Sequence, residues 1–343
     1  MWWIRTLPAL SLLLAALPAA ADPVADFYAG KQITMLIGTT TGGGYDLYAR
    51  LLARHIGRHI PGNPELIVKN MPGADGLLLT NYIANKGPRD GTEIGAVQNG
   101  VAFEKLFQTL SPGGSNALFD STKFGWLGSA LQSVYLAVTW HDTPIKTIAD
   151  AQKQEAVFGA AATSSDSYVL ALLMNRMLGT KLKIVHGYDG ATTVDLAMEK
   201  GEIQGEAGKD WTTVTTTRPY WLSDKKVNIL VQFGMHKRPE IPDVPLMLDL
   251  LAKPEDRKVV ELIFAKYGMS RPYFVAPGVP AERVEALRRA FDATMTDADF
   301  QAEAKKARAE LAPVRGEDVQ ALVQRIMAAP PDLAARARAA LQP

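Results

Sequence analysis

The chain has 343 residues, no cysteine, and 37 Lys plus Arg against 36 Asp plus Glu, a net charge of +1. That length exceeds one typical domain and predicts two, large enough to bury a core without disulfide staples. So balanced a charge supplies no field to draw in a polyanion, which argues against nucleic-acid binding; any anionic ligand must be held locally.

Residues 1–21 read as a secretory signal peptide: Arg5 is the positive n-region, Leu7 to Leu17 the apolar h-region, and Ala19-Ala20-Ala21 the small-residue cleavage site. Cleavage there leaves about 320 residues with no later run of roughly 18 apolar residues, so a soluble, periplasmic mature chain is expected. An apolar run, Ile33 to Ile37, reads as a buried strand and passes through the glycine- and hydroxyl-rich Gly38 to Gly44 into a helix. On that helix Tyr48, Leu51, Leu52, Ile56 and Ile60 share one face, with Arg50, Arg54 and Arg58 largely on the other. A strand, glycine turn and helix in sequence leave free N–H groups at the positive end of the helix dipole, which suits an anion. The plainer alternative is a helix capped by Asp46 or a Thr.

The same unit recurs. Glu65 to Val68, the loop Asn70 to Gly76 and the run Leu77 to Ile83 form the second; Glu93 to Val97 and the break Gln98-Asn99-Gly100 begin the third. Ser111 to Lys123 reads as a surface excursion, and the crossing between domains is expected near Leu127 to Ser133. Beyond it come strand Tyr135 to Trp140, helix Thr147 to Lys153, strand end Val157 to Gly159, a small polar loop Ala160 to Asp166 and helix Tyr168 to Leu178. Strand Lys183 to His186, loop Gly187 to Gly190, helix Ala191 to Lys200, a glycine loop Gly205 to Gly208 and strand Val227 to Gln232 complete the set. Proline-rich Arg238 to Pro245 is a rigid connection, and from Ala281 the chain is Ala-rich helix broken at Pro313 and Pro330-Pro331. Successive strand, loop and helix units predict α/β architecture with parallel sheets, and ligands in such sheets sit beyond the carboxyl ends of the strands.

In order and spacing, TTTGGGYDLYARLLARH (39–55), NMPGADG (70–76), GPRDGTEIG (87–95), GYDGATTVDLAMEKGEI (187–203), RPEIPDVP (238–245) and YFVAPGVPAERV (273–284) resemble the Bug family. These are TctC-like periplasmic substrate-binding proteins of tripartite tricarboxylate transporters. The resemblance implies a type II, Venus-flytrap binding protein with two lobes, each a mainly parallel sheet flanked by helices. We expect lobe one to comprise residues 22–130 and 235–343 and lobe two residues 131–234. It further implies a small organic carboxylate held between the lobes by N–H groups, hydroxyls and waters, and delivery to membrane transporter subunits. No cofactor, metal, nucleic acid or catalysis is expected, and a monomer is.

The ligand-binding candidates in lobe one are Thr40, Thr41, Gly42, Gly43, Tyr45 and Asp46 in the first loop, with Gln98 and Asn99 at a strand end. Asp46 would repel an anion, so its expected task is to orient the loop, cap the helix or hold a water. In lobe two, Thr163, Ser164 and Ser165 stand against a reading of plain helix capping, and Tyr188 and Asp189 against a solvated turn. Asp210, with Lys209 and Trp211, suggests a wall for a ring or acyl chain, or an ordinary interface cluster. His55 and His59, one turn apart, could bind metal but have no acidic partner nearby in sequence. A secreted serine hydrolase would need Ser164 or Ser165 with one of the five histidines, but no G-x-S-x-G elbow is present and no motif fixes His186 and Asp189 as partners; a ligand-loaded protein docking on a sensor kinase is the other alternative. Gly38 to Gly44 lacks the lysine of a P-loop.

Overall fold

The computed structural model describes residues 22–107, 116–161, 163 and 165–342, with the side chain of residue 75 outside the description. In chain order the elements begin α1 (Pro23–Tyr28), β1 (Gln32–Ile37), α2 (Gly44–Ile56), β2 (Glu65–Asn70), α3 (Leu77–Asn85), β3 (Glu93–Ala96), α4 (Glu104–Phe107) and β4 (Gly125–Ser129). They continue with β5 (Tyr135–Trp140), α5 (Ile148–Lys153), β6 (Ala156–Ala160), α6 (Asp166–Leu173), β7 (Leu182–His186), α7 (Ala191–Glu199), β8 (Gly205–Asp210), α8 (Trp211–Thr217), α9 (Tyr220–Ser223) and β9 (Val227–Phe233). The last are α10 (Pro254–Phe264), β10 (Pro272–Val275), α11 (Ala281–Thr296), α12 (Ala298–Lys306), β11 (Val314–Arg315), α13 (Gly316–Met327) and α14 (Pro331–Leu341).

Two sheets result: β11-β4-β10-β3-β1-β2 and β7-β6-β8-β5-β9. Both are mixed. Pairs β1/β2 and β1/β3 in one and β6/β7 and β6/β8 in the other are parallel, as the repeated units demand; the remaining pairs are antiparallel. The departure from mainly parallel sheets comes from β4, β5, β9 and β10, on the stretches where the chain passes from one sheet to the other and back. Antiparallel pairing places the start of β10 beside the carboxyl end of β3 and the start of β5 beside that of β8. The loops that follow β1, β2, β3, β6 and β7 therefore collect along one edge of each sheet.

Local patterning explains the main elements. Ile33, Met35 and Ile37 on one face of β1 and Leu36 on the other are all buried, as expected of a strand covered on both faces. Helix α2 buries Tyr48, Ala49, Leu51, Leu52 and Ile56 against β1 and β2, and its last turn tightens into a 3₁₀ segment, Gly57–His59. Residues 205–208, expected as a glycine loop, belong to strand β8. Glycine is needed there for close approach: Gly208 has φ +73°, and a Cβ on it would come within 2.7 Å of the backbone at Asp166 and Ser167. The surface excursion Ser111 to Lys123 lies partly outside the described residues and ends in a 3₁₀ turn, Ser121–Lys123. Helix α10 and strand β4 are not among the elements expected from the sequence.

Candidate functional site

The first loop is shaped by Asp46. Its buried carboxylate accepts the Gly42 N–H at 3.0 Å, Arg50 Nε at 2.9 Å and Asn70 Nδ2 at 2.9 Å; Asn70 also donates to the Thr39 carbonyl. Burial opposes its charge, but hydrogen bonds from Arg50, Gly42 and Asn70 outweigh it and hold the carboxyl below its ordinary range. Asp46 thus caps the loop from within, across a left-handed Gly42 (φ +89°), and the orienting role is the one the geometry supports. Gly43, the N-cap of α2, offers no side chain, and the N–H groups of Gly43, Gly44, Tyr45 and Asp46 find no acceptor among the described residues. Thr40, Thr41, Gly42 and Gly43 are exposed beside them.

Tyr45 joins this loop to the end of β3, its hydroxyl accepting the Asn99 N–H at 3.4 Å, while Asn99 Nδ2 donates to the Lys266 carbonyl. The Gln98 Oε1 is shielded from solvent without a hydrogen-bond partner and lies close over Gly76. Arg271, immediately before β10, stacks on two tyrosines, its Cζ 4.3 Å from the Tyr45 ring centroid and 5.3 Å from that of Tyr48. Desolvation makes ionisation of Tyr45 harder even with Arg271 beside it, so its hydroxyl stays protonated. Sequence reasoning passed over Arg271; the one signal was a cation set just ahead of the apolar strand Pro272–Val275.

On the second sheet, Ala161, Thr163 and residues 186–190, including Tyr188 and Asp189, line one depression built from that lobe alone. Ser165 caps α6, its Oγ accepting the Tyr168 N–H, and pairs with Ser167 Oγ at 2.8 Å; Ser164 lies outside the described residues. Asp210 caps α8 through Oδ1 and the Thr213 N–H at 3.2 Å, leaving Oδ2 shielded and unbonded. Strand alternation sends its neighbour Lys209 the other way, into the lobe interior with Asp195 and Glu206, so Lys209 cannot be part of a cleft wall. Trp211 is buried with the guanidinium of Arg238 over its ring.

The two edges meet. Asp166, at the start of α6, accepts Lys266 Nζ at 2.9 Å and the Tyr267 hydroxyl at 3.0 Å from the 3₁₀ segment after α10, and Tyr135 packs on Tyr267 at 4.7 Å. Thr212 donates to Glu310, which also receives Arg238. None of Asp166, Lys266 or Tyr267 was singled out from the sequence as a site residue, because their pairing joins positions 100 residues apart. The histidines serve elsewhere: His55 pairs with Glu303 at 2.5 Å and His59 with Asp297 at 2.8 Å, docking α12 on α2 with acidic partners distant in sequence.

Two lobes, each with loops gathered at the carboxyl edge of its sheet and facing the other, define a periplasmic binding protein fold. A TctC solute-binding protein from Polaromonas superposes with a TM-score of 0.69 at 19% identity, over 92% of this chain and 99% of that one. Rpa4515 of R. palustris, solved with adipate, gives a TM-score of 0.61 at 19% identity, over 90% and 97%. In sequence, a UPF0065 protein from the TAR-I ttuE-ttuC' intergenic region of Agrobacterium vitis is 29% identical over 245 residues, 69% of this chain and 66% of that relative. No family model matches the chain. The solved structures share this chain's fold, and both they and the UPF0065 relative are similar to it along the lines its motif order implied, a likeness to TctC-like proteins.

Proposed function

We propose that the chain is an extracytoplasmic solute receptor that closes two lobes on a small organic carboxylate and delivers it to a tripartite tricarboxylate-type membrane transporter. The observation that carries this reading is the start of α2. Its N–H groups at Gly43, Gly44, Tyr45 and Asp46 find no acceptor among the described residues, on a loop that Asp46 holds from behind. Charge-assisted hydrogen bonds to such groups contribute roughly 1.5 to 3 kcal/mol each before desolvation losses. Thr40 and Thr41 supply hydroxyls on this side, and Thr163, Ser164, Ser165, Tyr188 and Asp189 close from the other. A fold neighbour whose name records adipate supports an acidic ligand. Residues 1–21 are the export signal, lobe one is 22–130 with 235–343, lobe two is 131–234, and the mature protein works as a monomer in the periplasm.

Ligand binding favours the closed state because only there can both lobes donate to one acid. The test is thermal unfolding of the mature protein against mono-, di- and tricarboxylates. A true ligand at 100 times its dissociation constant adds about 2.7 kcal/mol of stability. A flat response across the panel rejects organic-acid capture, and product formation from the bound acid would replace the receptor reading with an enzymatic one.

A further inference from the structure

Two side chains near the meeting edges of the sheets, Arg271 and Asp210, each keep one shielded polar atom without a partner among the described residues. Arg271 Nη1 donates to the neighbouring Ser270 carbonyl at 2.8 Å, but its Nε is shielded from solvent without a hydrogen-bond partner. No carboxylate lies within ion-pair distance of it among the described residues. Its Nη2 lies 3.2 Å from where a Cβ on Gly44 would sit, beside the open N–H groups of α2. From the other sheet, Asp210 leaves Oδ2 shielded and unbonded, and its charge is felt at Arg271, Tyr45 and Tyr48. The two do not meet in an ion pair.

Three other charged groups along these edges are paired: Asp46 with Arg50, Asp166 with Lys266, and Glu310 with Arg238. A shielded guanidinium nitrogen and a shielded carboxylate oxygen without protein partners are each costly, so a partner from outside the chain, a ligand or a water, is called for at each. Asp210 has a structural duty through Oδ1 alone, which leaves the orientation of Oδ2 unexplained by capping. A plain dicarboxylate would bring a second negative charge to the side of the cleft that Asp210 occupies, whereas an ammonium or hydroxyl there would be a donor to it.

We propose that Arg271 and Asp210 set the ligand class: Arg271 Nη2 joins the α2 N–H groups on the ligand carboxylate, and Asp210 Oδ2 accepts a hydrogen bond from a donor on the same molecule. The ligand is an amino or hydroxy acid in preference to an unsubstituted one. This deepens the receptor reading and rests on it.

Calorimetric titration of the mature protein with succinate, malate and aspartate, and with the matching three-, five- and six-carbon sets, tests it, because members of a set differ in little but the donor. The wild type should bind an amino or hydroxy acid at least about tenfold more tightly than its unsubstituted counterpart. Asp210→Asn, which keeps the α8 cap, should collapse that ratio to within about twofold, and Arg271→Gln should weaken all acids about tenfold or more. Acid binding without donor preference, or a ratio unmoved in Asp210→Asn, overturns the inference and leaves the receptor reading standing. If neither variant alters affinity but each alone lowers apo stability and the double variant restores it, the two residues are a structural pair and the inference fails. No binding of any acid by the wild type removes both readings.

Discussion

Asp46 and Glu206 are both buried carboxylates, and their surroundings send them in opposite directions. Asp46 is surrounded by donors and stays charged, so Asp46→Ala removes the anchor of Gly42, Arg50 and Asn70 at once. We expect Asp46→Ala to lose about 2 to 4 kcal/mol in chemical denaturation and Asp46→Asn distinctly less, since the amide oxygen can still accept the Gly42 N–H. Glu206 lies under α7 with Asp195 and Lys209; burial pushes its carboxyl up to about 8, against the opposing charge of Lys209 and helped by Asp195. Asp195 moves down: burial acts to raise it, but hydrogen bonds from Glu206, Lys209 and Arg218 prevail. Because folded Glu206 holds its proton where the unfolded chain has released it, its contribution to stability falls as pH rises from about 4.5 to about 8. The slope from this one proton is at most about 1.4 kcal/mol per pH unit, and Glu206→Gln should flatten it in denaturation curves between pH 5 and 8. An unchanged slope would place the proton elsewhere.

Strand β8 shows what an element can demand of a single residue. With Gly208 left-handed and the start of α6 against it, a methyl group has no room. Gly208→Ala should cost about 2 kcal/mol or more by thermal unfolding, and it should also weaken ligand binding, because the displaced backbone carries Asp166 and the Ser165 cap. An alanine variant of Gly43, whose surroundings are open and whose φ is −86°, is the contrasting control for stability. Helix α12 is docked differently, by polar pairs: Arg54 and His55 to Glu303, Arg58 and His59 to Asp297. Apolar anchors Phe300 and Ala304 sit beneath these pairs, so screening the pairs with salt should leave the helix in place.

At the scale of the molecule, the lobes are joined by more than their crossing strands. Asp166 receives Lys266 and Tyr267, Thr212 receives support through Glu310, and Arg176 donates to the carbonyls of Ala339, Ala340 and Gln342 at the end of α14. A cation at that helix terminus satisfies its last carbonyls and suits its dipole. Helix α14 packs on α10 and α4 as well as α6, so it straps one lobe to the other. Asp166→Ala should shift the ligand-free protein toward open forms, seen as a larger radius of gyration in small-angle scattering, with the ligand-bound value unchanged. Equal radii in both states would show that Asp166 does not bias closure.

Much of this was legible in the order of residues. The apolar runs of β1, β5 and β7 and the stripe of α2 announce themselves by periodicity, and the glycine-rich loop before α2 announces a helix start with open N–H groups, because both are set by neighbours within a few positions. The mixed character of the sheets, the strand hidden in Gly205 to Asp210, and the roles of Arg271, Asp166 and Lys266 were not legible. Each depends on which distant segment lies alongside, and only the folded chain brings a cation at 271 over a tyrosine at 45, or turns Lys209 inward while its neighbour Asp210 stays at the cleft.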